Sequence, residues 1–123
     1  MKKTTVTDLA KLVSAATSSG PQWGEECEDL DMTLLVWRPS EGIAEHVNEE
    51  MDVLVVGFAG EGLISIDDEN HSVNAGQAIL IPKGSKRSIL ALDGGFSHLN
   101  VHQRRKRLMP GLGTDSWKNR VLP

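Results

Sequence analysis

The sequence has little of what a secreted or membrane protein needs. It contains one cysteine in 123 residues, so no disulfide can form within the chain, and a reducing compartment is favoured. No apolar run approaches the length of a membrane helix, about 18 residues. Met1-Lys2-Lys3 is followed by polar residues instead of an apolar signal segment. We therefore expect a cytoplasmic protein that is neither exported nor inserted in a membrane.

The chain also lacks an excess of positive charge. Its 17 acidic and 13 basic residues give a formal net charge of −4, which provides no general attraction to nucleic acid or to an anionic membrane. The exception is the basic patch 104–107, Arg-Arg-Lys-Arg, which has no interleaved aromatic residues for stacking on bases. We expect no nucleic-acid partner, and predict that this patch pairs with acidic segments of this or a neighbouring subunit. The acidic run 25–31 is one candidate.

That acidic run places five carboxylates around Cys27. Neighbouring carboxylates oppose the lowered thiol pKa that a cysteine nucleophile needs, so we do not expect Cys27 to be catalytic. Such a run could bind a hard cation, but we interpret it as a solvated loop.

The composition is that of an ordinary folded chain, with 39% hydrophobic and 24% charged residues, and the length favours a single domain over residues 1–123. Apolar residues at positions 9, 12, 13 and 16 recur with helical spacing behind a cap at Thr7 or Asp8. This pattern predicts a short helix over 7–16. Ser18-Ser19-Gly20-Pro21 should end it.

From residue 32 onward the hydrophobic period changes to two, which is typical of strands. Predicted strands cover 32–38, 43–48, 52–59, 63–67, 71–73, 78–82, 86–92 and 96–103. The separators are turn formers, including Gly60-Glu61-Gly62, which we interpret as a hairpin turn, and Asp93-Gly94-Gly95. Regularly spaced short strands predict an all-β sandwich or barrel with its core over about 32–103. Residues 109–123 are predicted to be a tail in which Trp117 would be costly to expose, so the tail should fold over the barrel or a second subunit.

Two segments resemble the motifs of the cupin superfamily. The first cupin motif reads Gly, five residues, His-x-His, three or four residues, Glu, six residues, Gly. Here the corresponding residues are Gly42, His46, Asn48 and Asp52, with a first spacing shorter than the motif's and with Gly57 or Gly60 as the closing glycine. The second motif reads Gly, five residues, Pro-x-Gly, two residues, His, and is matched in spacing by Gly76, Pro82, Gly84 and Arg87.

The resemblance implies a double-stranded β-helix, or jelly-roll barrel, of the small single-domain (cupin type-2) kind. It also implies a homodimer, whose contact we place at the helix 7–16 and the strand 32–38, because barrel edges need covering. Gly76 suits a turn that requires positive φ, and Pro82 suits the end of a strand.

The positions that hold the metal in such barrels are degenerate here. His46 and Asp52 could still donate to a transition metal. Asn48 offers only a neutral amide oxygen, and Arg87 would place a permanent positive charge where the ion should lie. We therefore expect no cofactor and no conventional metal site.

Two roles remain open for Arg87. It could form a buried ion pair with Asp52, supported by hydrogen bonds from His46 and Asn48, in place of the metal. Alternatively, it could bind a small anion, most simply a carboxylate, with its guanidinium fork. We interpret the chain as a metal-independent binding or sensing module for a small, anionic ligand. The predicted pocket is lined by His46, Asn48, Asp52 and Arg87, with apolar walls from Leu54, Val56 and Ile89.

The alternative is a metal-dependent cupin enzyme, an oxygenase, isomerase or lyase, with a displaced site. His98, Asn100 and His102 share one face of the predicted strand 96–103, and His46, Asp52 and His98 or His102 could form a two-histidine, one-carboxylate set. A metal-free enzyme using His46 as general base against Asp52 is a further possibility. Leu99 and Val101 look like the core-facing set of that strand, so we expect the histidines to point outward.

Overall fold

The structure is a computed structural model that describes residues 4–104. Three of the four residues of the basic patch and the whole predicted tail, with Trp117, lie outside the described residues. The elements are α1 (Leu9–Ala15), β1 (Gly20–Glu26), β2 (Leu30–Trp37), β3 (Gly42–Val47), β4 (Val53–Ile66), β5 (Glu69–Asn74), β6 (Ala78–Ile81) and β7 (Lys86–Gln103). None of the helices in the described part is long and apolar enough to cross a membrane.

The predicted helix 7–16 is confirmed as α1. Asp8 is its N-cap, and the Asp8 Oδ1 accepts a hydrogen bond from the Lys11 amide at 3.1 Å. No residue of α1 is buried, so this helix lies on the barrel surface without contributing to its core.

The strand pairings divide the barrel into two layers that share their longest strands. Sheet 1 has the order β1, β2, the second half of β7, the first half of β4, then β6. Sheet 2 has the order β3, the first half of β7, the second half of β4, then β5. All of these pairings are antiparallel, which confirms the predicted jelly-roll barrel.

The two glycine-rich separators inside β4 and β7 do not form hairpins. β4 continues through Gly60 to Gly62 and β7 through Gly94 to Gly95, and the register shifts between β4 and β7 where the strands bend. Gly60 has φ +72°, and a Cβ there would lie 2.0 Å from the Gly95 carbonyl oxygen. The glycines therefore permit the two paired strands to approach closely and to bend at the same place. The hairpin turn predicted at Gly60-Glu61-Gly62 is wrong, because β4 continues through these residues.

The acidic run 25–31 is not a solvated loop, as the sequence had suggested. Its first two residues belong to β1 and its last two to β2, and the strands join at the intervening turn. β1 was missed because Pro-Gln-Trp-Gly-Glu-Glu has no apolar alternation. Its backbone pairing with β2 holds it in the sheet.

The placement of β2 also changes the expected dimer contact. β2 lies between β1 and β7, so both of its backbone edges are paired, and it is not an edge that needs covering. The homodimer itself stays a prediction.

The core lies between the inner faces of the two sheets. It comprises Leu35, Trp37, Ile43, Met51, Val53, Val55, Ile64, Val73, Ile81, Ile89, Ala91 and Phe96. Ile89 was correctly placed inside. Leu54 and Val56 were not, because alternation along β4 turns Val53 and Val55 inward and leaves Leu54 exposed and Val56 half-buried.

Candidate functional site

His46 and Arg87 are directly opposed residues on paired strands. β3 and β7 are antiparallel, His46 is the register partner of Arg87, and a bulge lies in the pairing between Ile43 and His46. Opposed residues of an antiparallel pair project on the same face with their Cβ atoms about 5 Å apart. The Arg87 side chain is buried, with 1% exposure, while His46 is half-buried. These two predicted site residues therefore lie side by side at the barrel wall.

The Arg87 guanidinium is held mainly by backbone carbonyls. Nε donates to the Ser85 oxygen at 3.0 Å and Nη2 donates to the Pro82 oxygen at 2.9 Å. Nη1 is buried and has no hydrogen-bond partner. One nitrogen of a buried cation is thus left over after the protein's own acceptors have been used.

The predicted ion pair between Arg87 and Asp52 is not formed. Asp52 is exposed, and its Oδ1 accepts a hydrogen bond from the Lys83 amide at 2.9 Å. Asp52 immediately precedes Val53, whose side chain points into the core, so alternation sends the Asp52 carboxylate to the other face. Within residues 4–104, Arg87 has no ion-pair partner.

The backbone of Asn48 is hydrogen-bonded to the turn that connects β6 and β7. Its carbonyl oxygen accepts from the Gly84 amide at 2.8 Å, and its side-chain Oδ1 accepts from the Glu50 amide at 2.9 Å. Three of the four predicted site residues, Asn48, Asp52 and Arg87, therefore bond to the turn 82–85. Pro82 behaves as predicted, since β6 ends at Ile81, and Gly84 in the same turn has φ +81°.

His46 has its acceptor nitrogen available. Nδ1 lies 2.9 Å from the Ala44 carbonyl oxygen, which can only accept, so Nδ1 carries the proton and donates. With that proton on Nδ1, Nε2 is the acceptor nitrogen of the ring. It is buried and has no hydrogen-bond partner.

The electrostatics of Arg87 follow from its burial. Desolvation lowers the pKa of Arg87 below its ordinary value, and the negative charge of Asp67 opposes part of that shift. Arginine's ordinary pKa is so high that the guanidinium keeps its charge at neutral pH. Within residues 4–104, the barrel therefore contains a buried positive charge with no carboxylate paired to it.

His98 and Asn100 point inward, which corrects the outward orientation expected from the sequence. His98 is 0% and Asn100 1% exposed, whereas Leu99 and Val101 are half-buried on the outer face. Indole Nε1 is only a donor, so His98 Nε2 accepts from Trp37 at 2.9 Å, and Nδ1 donates to the Asn100 Oδ1 at 2.8 Å. The ring also stacks on Phe96 with centroids 4.9 Å apart. Burial lowers the pKa of His98 to about 4, partly offset by its hydrogen bond to Asn100, so the ring is neutral.

The residues present do not fit a metal ion. Both ring nitrogens of His98 are already hydrogen-bonded and the Asp52 carboxylate lies outside, so neither residue can join His46 as a ligand. Over residues 4–104, no group of three or more His, Cys, Asp or Glu side chains is arranged to hold a metal. The displaced metal site predicted as an alternative, from His46, Asp52 and His98 or His102, is therefore not assembled.

The hydrogen bond from Trp37 to His98 was not predicted from the sequence. It lies in a strand with apolar alternation, and nothing near it in the sequence marks its indole N–H as a hydrogen-bond donor to a histidine 61 positions away. The pairing of Leu35 with His98 and of Trp37 with Phe96 brings the two together, and that register is set by the strands as a whole.

The comparisons with known proteins agree with the architecture. No family model matches the chain, and no curated protein matches it. A cupin-2 domain containing protein from Shewanella frigidimarina NCIMB 400 is similar with a TM-score of 0.70 and 20% identity, over 80% of this chain and 95% of that one. A conserved protein with a double-stranded β-helix domain from Klebsiella pneumoniae has a TM-score of 0.69 and 14% identity, over 82% and 90%. KdgF from Halomonas sp. has a TM-score of 0.65 and 16% identity, over 74% and 84%.

At these identities the likeness concerns the fold. The chain has the cupin fold, a double-stranded β-helix, as its two degenerate motifs implied.

Proposed function

We propose that this cupin barrel is a metal-independent module that binds a small anionic ligand at Arg87. The observation that carries the proposal is the buried guanidinium, which has no ion-pair partner within residues 4–104 and whose Nη1 has no hydrogen-bond acceptor. The neighbouring His46 presents a second unsatisfied nitrogen from the paired strand.

The physical reason is the desolvation of the charge. A buried ion without a counter-ion is unfavourable by several kcal/mol after relaxation, and part of that penalty is offset here by the Ser85 and Pro82 carbonyls. An anionic oxygen at Nη1 would supply both the missing acceptor and the compensating charge. Charge-assisted hydrogen bonds of this kind are about twice as strong as neutral ones. A carboxylate is the simplest ligand with these properties.

The first test compares ligand binding by two arginine variants. Small carboxylates are titrated into the wild type, Arg87→Lys and Arg104→Met, with binding followed by NMR. Arg87→Lys keeps the charge but removes Nη1, so we expect binding to weaken by about tenfold or more. Arg104 is exposed and lies at the far end of β7, so Arg104→Met should bind as the wild type does. Unchanged binding by Arg87→Lys would show that Arg87 is not the ligand-binding residue.

The second test concerns the metal. The untagged protein is purified without chelators, incubated with iron, manganese, nickel and zinc salts, and measured by elemental analysis. We expect no ion to be retained in stoichiometric amount, because no group of three His, Cys, Asp or Glu side chains in the described part of the chain could hold one. Retention of one ion per chain would overturn the metal-independent proposal and would favour the enzyme alternative.

A further inference from the structure

The two unsatisfied nitrogens at the site have opposite hydrogen-bonding character. Arg87 Nη1 is a donor, since a guanidinium has no acceptor. His46 Nε2 is an acceptor, since the proton of the ring is on Nδ1 and is donated to the Ala44 carbonyl. The two residues are register partners on β3 and β7, so their side chains lie on the same face of the sheet.

A simple carboxylate satisfies only half of this pair. It offers acceptors to Arg87 Nη1 but has no hydrogen to donate to His46 Nε2, and its negative charge would face the lone pair of that nitrogen. A hydroxyl group next to the carboxylate supplies the missing hydrogen. Leaving a buried acceptor unsatisfied costs about 1–3 kcal/mol, so a ligand with such a hydroxyl has an advantage.

We infer that the ligand class is a hydroxycarboxylate, with its carboxylate on Arg87 Nη1 and its hydroxyl donating to His46 Nε2. This inference rests on the proposed function, because it requires an anion at Arg87. A phosphate is the less suitable anion. It carries more charge and more acceptors than one guanidinium can satisfy, and within residues 4–104 Arg87 is the only arginine or lysine side chain that is buried.

The inference is tested with pairs of ligands that differ by one hydroxyl group: glycolate against acetate, and lactate against propionate. NMR titration measures the dissociation constants for the wild type, His46→Leu and His71→Leu. His71 is a half-buried histidine on β5, which pairs with β4 while β3 pairs with β7, so it is the matched control.

In the wild type we expect each hydroxy acid to bind about five- to tenfold more tightly than its partner, the gain of one neutral hydrogen bond. In His46→Leu the preference should fall below about twofold. The ratio within each ligand pair is the readout, because a change in the carboxylate contact itself affects both members of the pair. In His71→Leu the preference should persist.

Each outcome has a distinct meaning. Equal affinities for glycolate and acetate in the wild type, with binding that depends on Arg87, would overturn the hydroxycarboxylate inference and leave the proposed function standing. A preference that survives in His46→Leu would overturn the role given to His46. Tighter binding of inorganic phosphate than of glycolate would overturn the ligand class. No binding of any carboxylate would overturn both the hydroxycarboxylate inference and the proposed function. Water would then be the only candidate to bridge the two nitrogens. The wild-type comparison needs no variant, so the inference stays testable if His46→Leu does not fold.

Discussion

The indole Nε1 of Trp37 donates a hydrogen bond of 2.9 Å to Nε2 of His98 in the interior of the barrel. This bond determines which nitrogen of His98 carries the proton, because an indole nitrogen can only donate. The proton is therefore on Nδ1, where Asn100 accepts it. Both ring nitrogens of His98, which the sequence suggested as a metal ligand, are thus used in hydrogen bonds within the protein.

Removing the indole donor should destabilise the barrel. Trp37→Phe leaves Nε2 of a fully buried histidine without a partner, for which we expect a loss of about 1–3 kcal/mol in the free energy of unfolding, in addition to the loss of packing. Urea unfolding measures the loss, with Trp23→Phe on β1 as the control for a half-buried tryptophan. Equal losses in the two variants would contradict the role of the hydrogen bond. A double-mutant cycle with His98→Leu isolates the pairwise energy.

The stability of the protein should decrease as the pH falls from about 6.5 to about 4. The pKa of His98 is lowered to about 4 in the folded state, while an unfolded histidine titrates at about 6.5. Above pH 6.5 neither state is protonated and the contribution is constant. Below it the unfolded state takes up the proton first, so stability is lost until the pH reaches the folded pKa. The total is about 3 kcal/mol, from a shift of about 2.5 pH units at 1.36 kcal/mol each.

His98→Gln has no titrating group at this position, so its unfolding free energy should vary less than that of the wild type over this pH range. The measurement is a series of urea titrations at closely spaced pH values. Parallel curves for the two proteins would show that His98 is not responsible for the decrease.

Gly60 should tolerate no side chain. Gly60→Ala places a Cβ 2.0 Å from the Gly95 carbonyl oxygen at φ +72°, so both the contact and the backbone conformation are unfavourable. Gly76→Ala has a similar φ, +83°, but nothing lies within 4 Å of its Cβ. Thermal or urea unfolding should show about 1 kcal/mol lost for Gly76→Ala and at least about 3 kcal/mol for Gly60→Ala. Similar losses would mean that the strands do not cross closely at Gly60.

Arg87 and Asp52 should not behave as an ion pair. Asp52 bonds to the Lys83 amide and Arg87 to the Ser85 and Pro82 carbonyls, with no bond between their side chains. In a double-mutant cycle of Arg87→Met and Asp52→Ala we expect a coupling energy of at most about 1 kcal/mol, because the two side chains share only the turn 82–85. A coupling of several kcal/mol would restore the buried ion pair that the sequence suggested.

Features that depend on a residue and its immediate neighbours were predicted well from the sequence. The helix capped at Asp8, the positive φ of Gly76 and the end of β6 before Pro82 all follow from the residue itself and its neighbours. The cupin fold was implied by the resemblance of Gly76, Pro82 and Gly84 to the second cupin motif, at positions where the residue type specifies the backbone.

What the sequence could not supply is the side to which each strand turns. His98 and Leu99 lie on opposite faces of β7, and both faces are largely covered. Hydrophobicity alone therefore predicted the wrong inner face, with Leu99 inside and His98 outside. The inner face accepts His98 because Trp37 and Asn100 hydrogen-bond to its two ring nitrogens, and Trp37 is brought there by the register between distant strands. The side chain of Asp52 was placed on the wrong side for a related reason. Asp52 directly precedes Val53, whose side chain points inward, so alternation turns the Asp52 carboxylate outward.

Because β4 and β7 each run without interruption through both layers, the two sheets have no separate boundary at which one could open while the other stays intact. Fraying of either strand removes ladder bonds from both layers at once. Amide hydrogens of the two sheets should consequently exchange with solvent in a single cooperative event, and a cut in the chain at the Gly60 or Gly94 bend would disable the whole barrel rather than half of it.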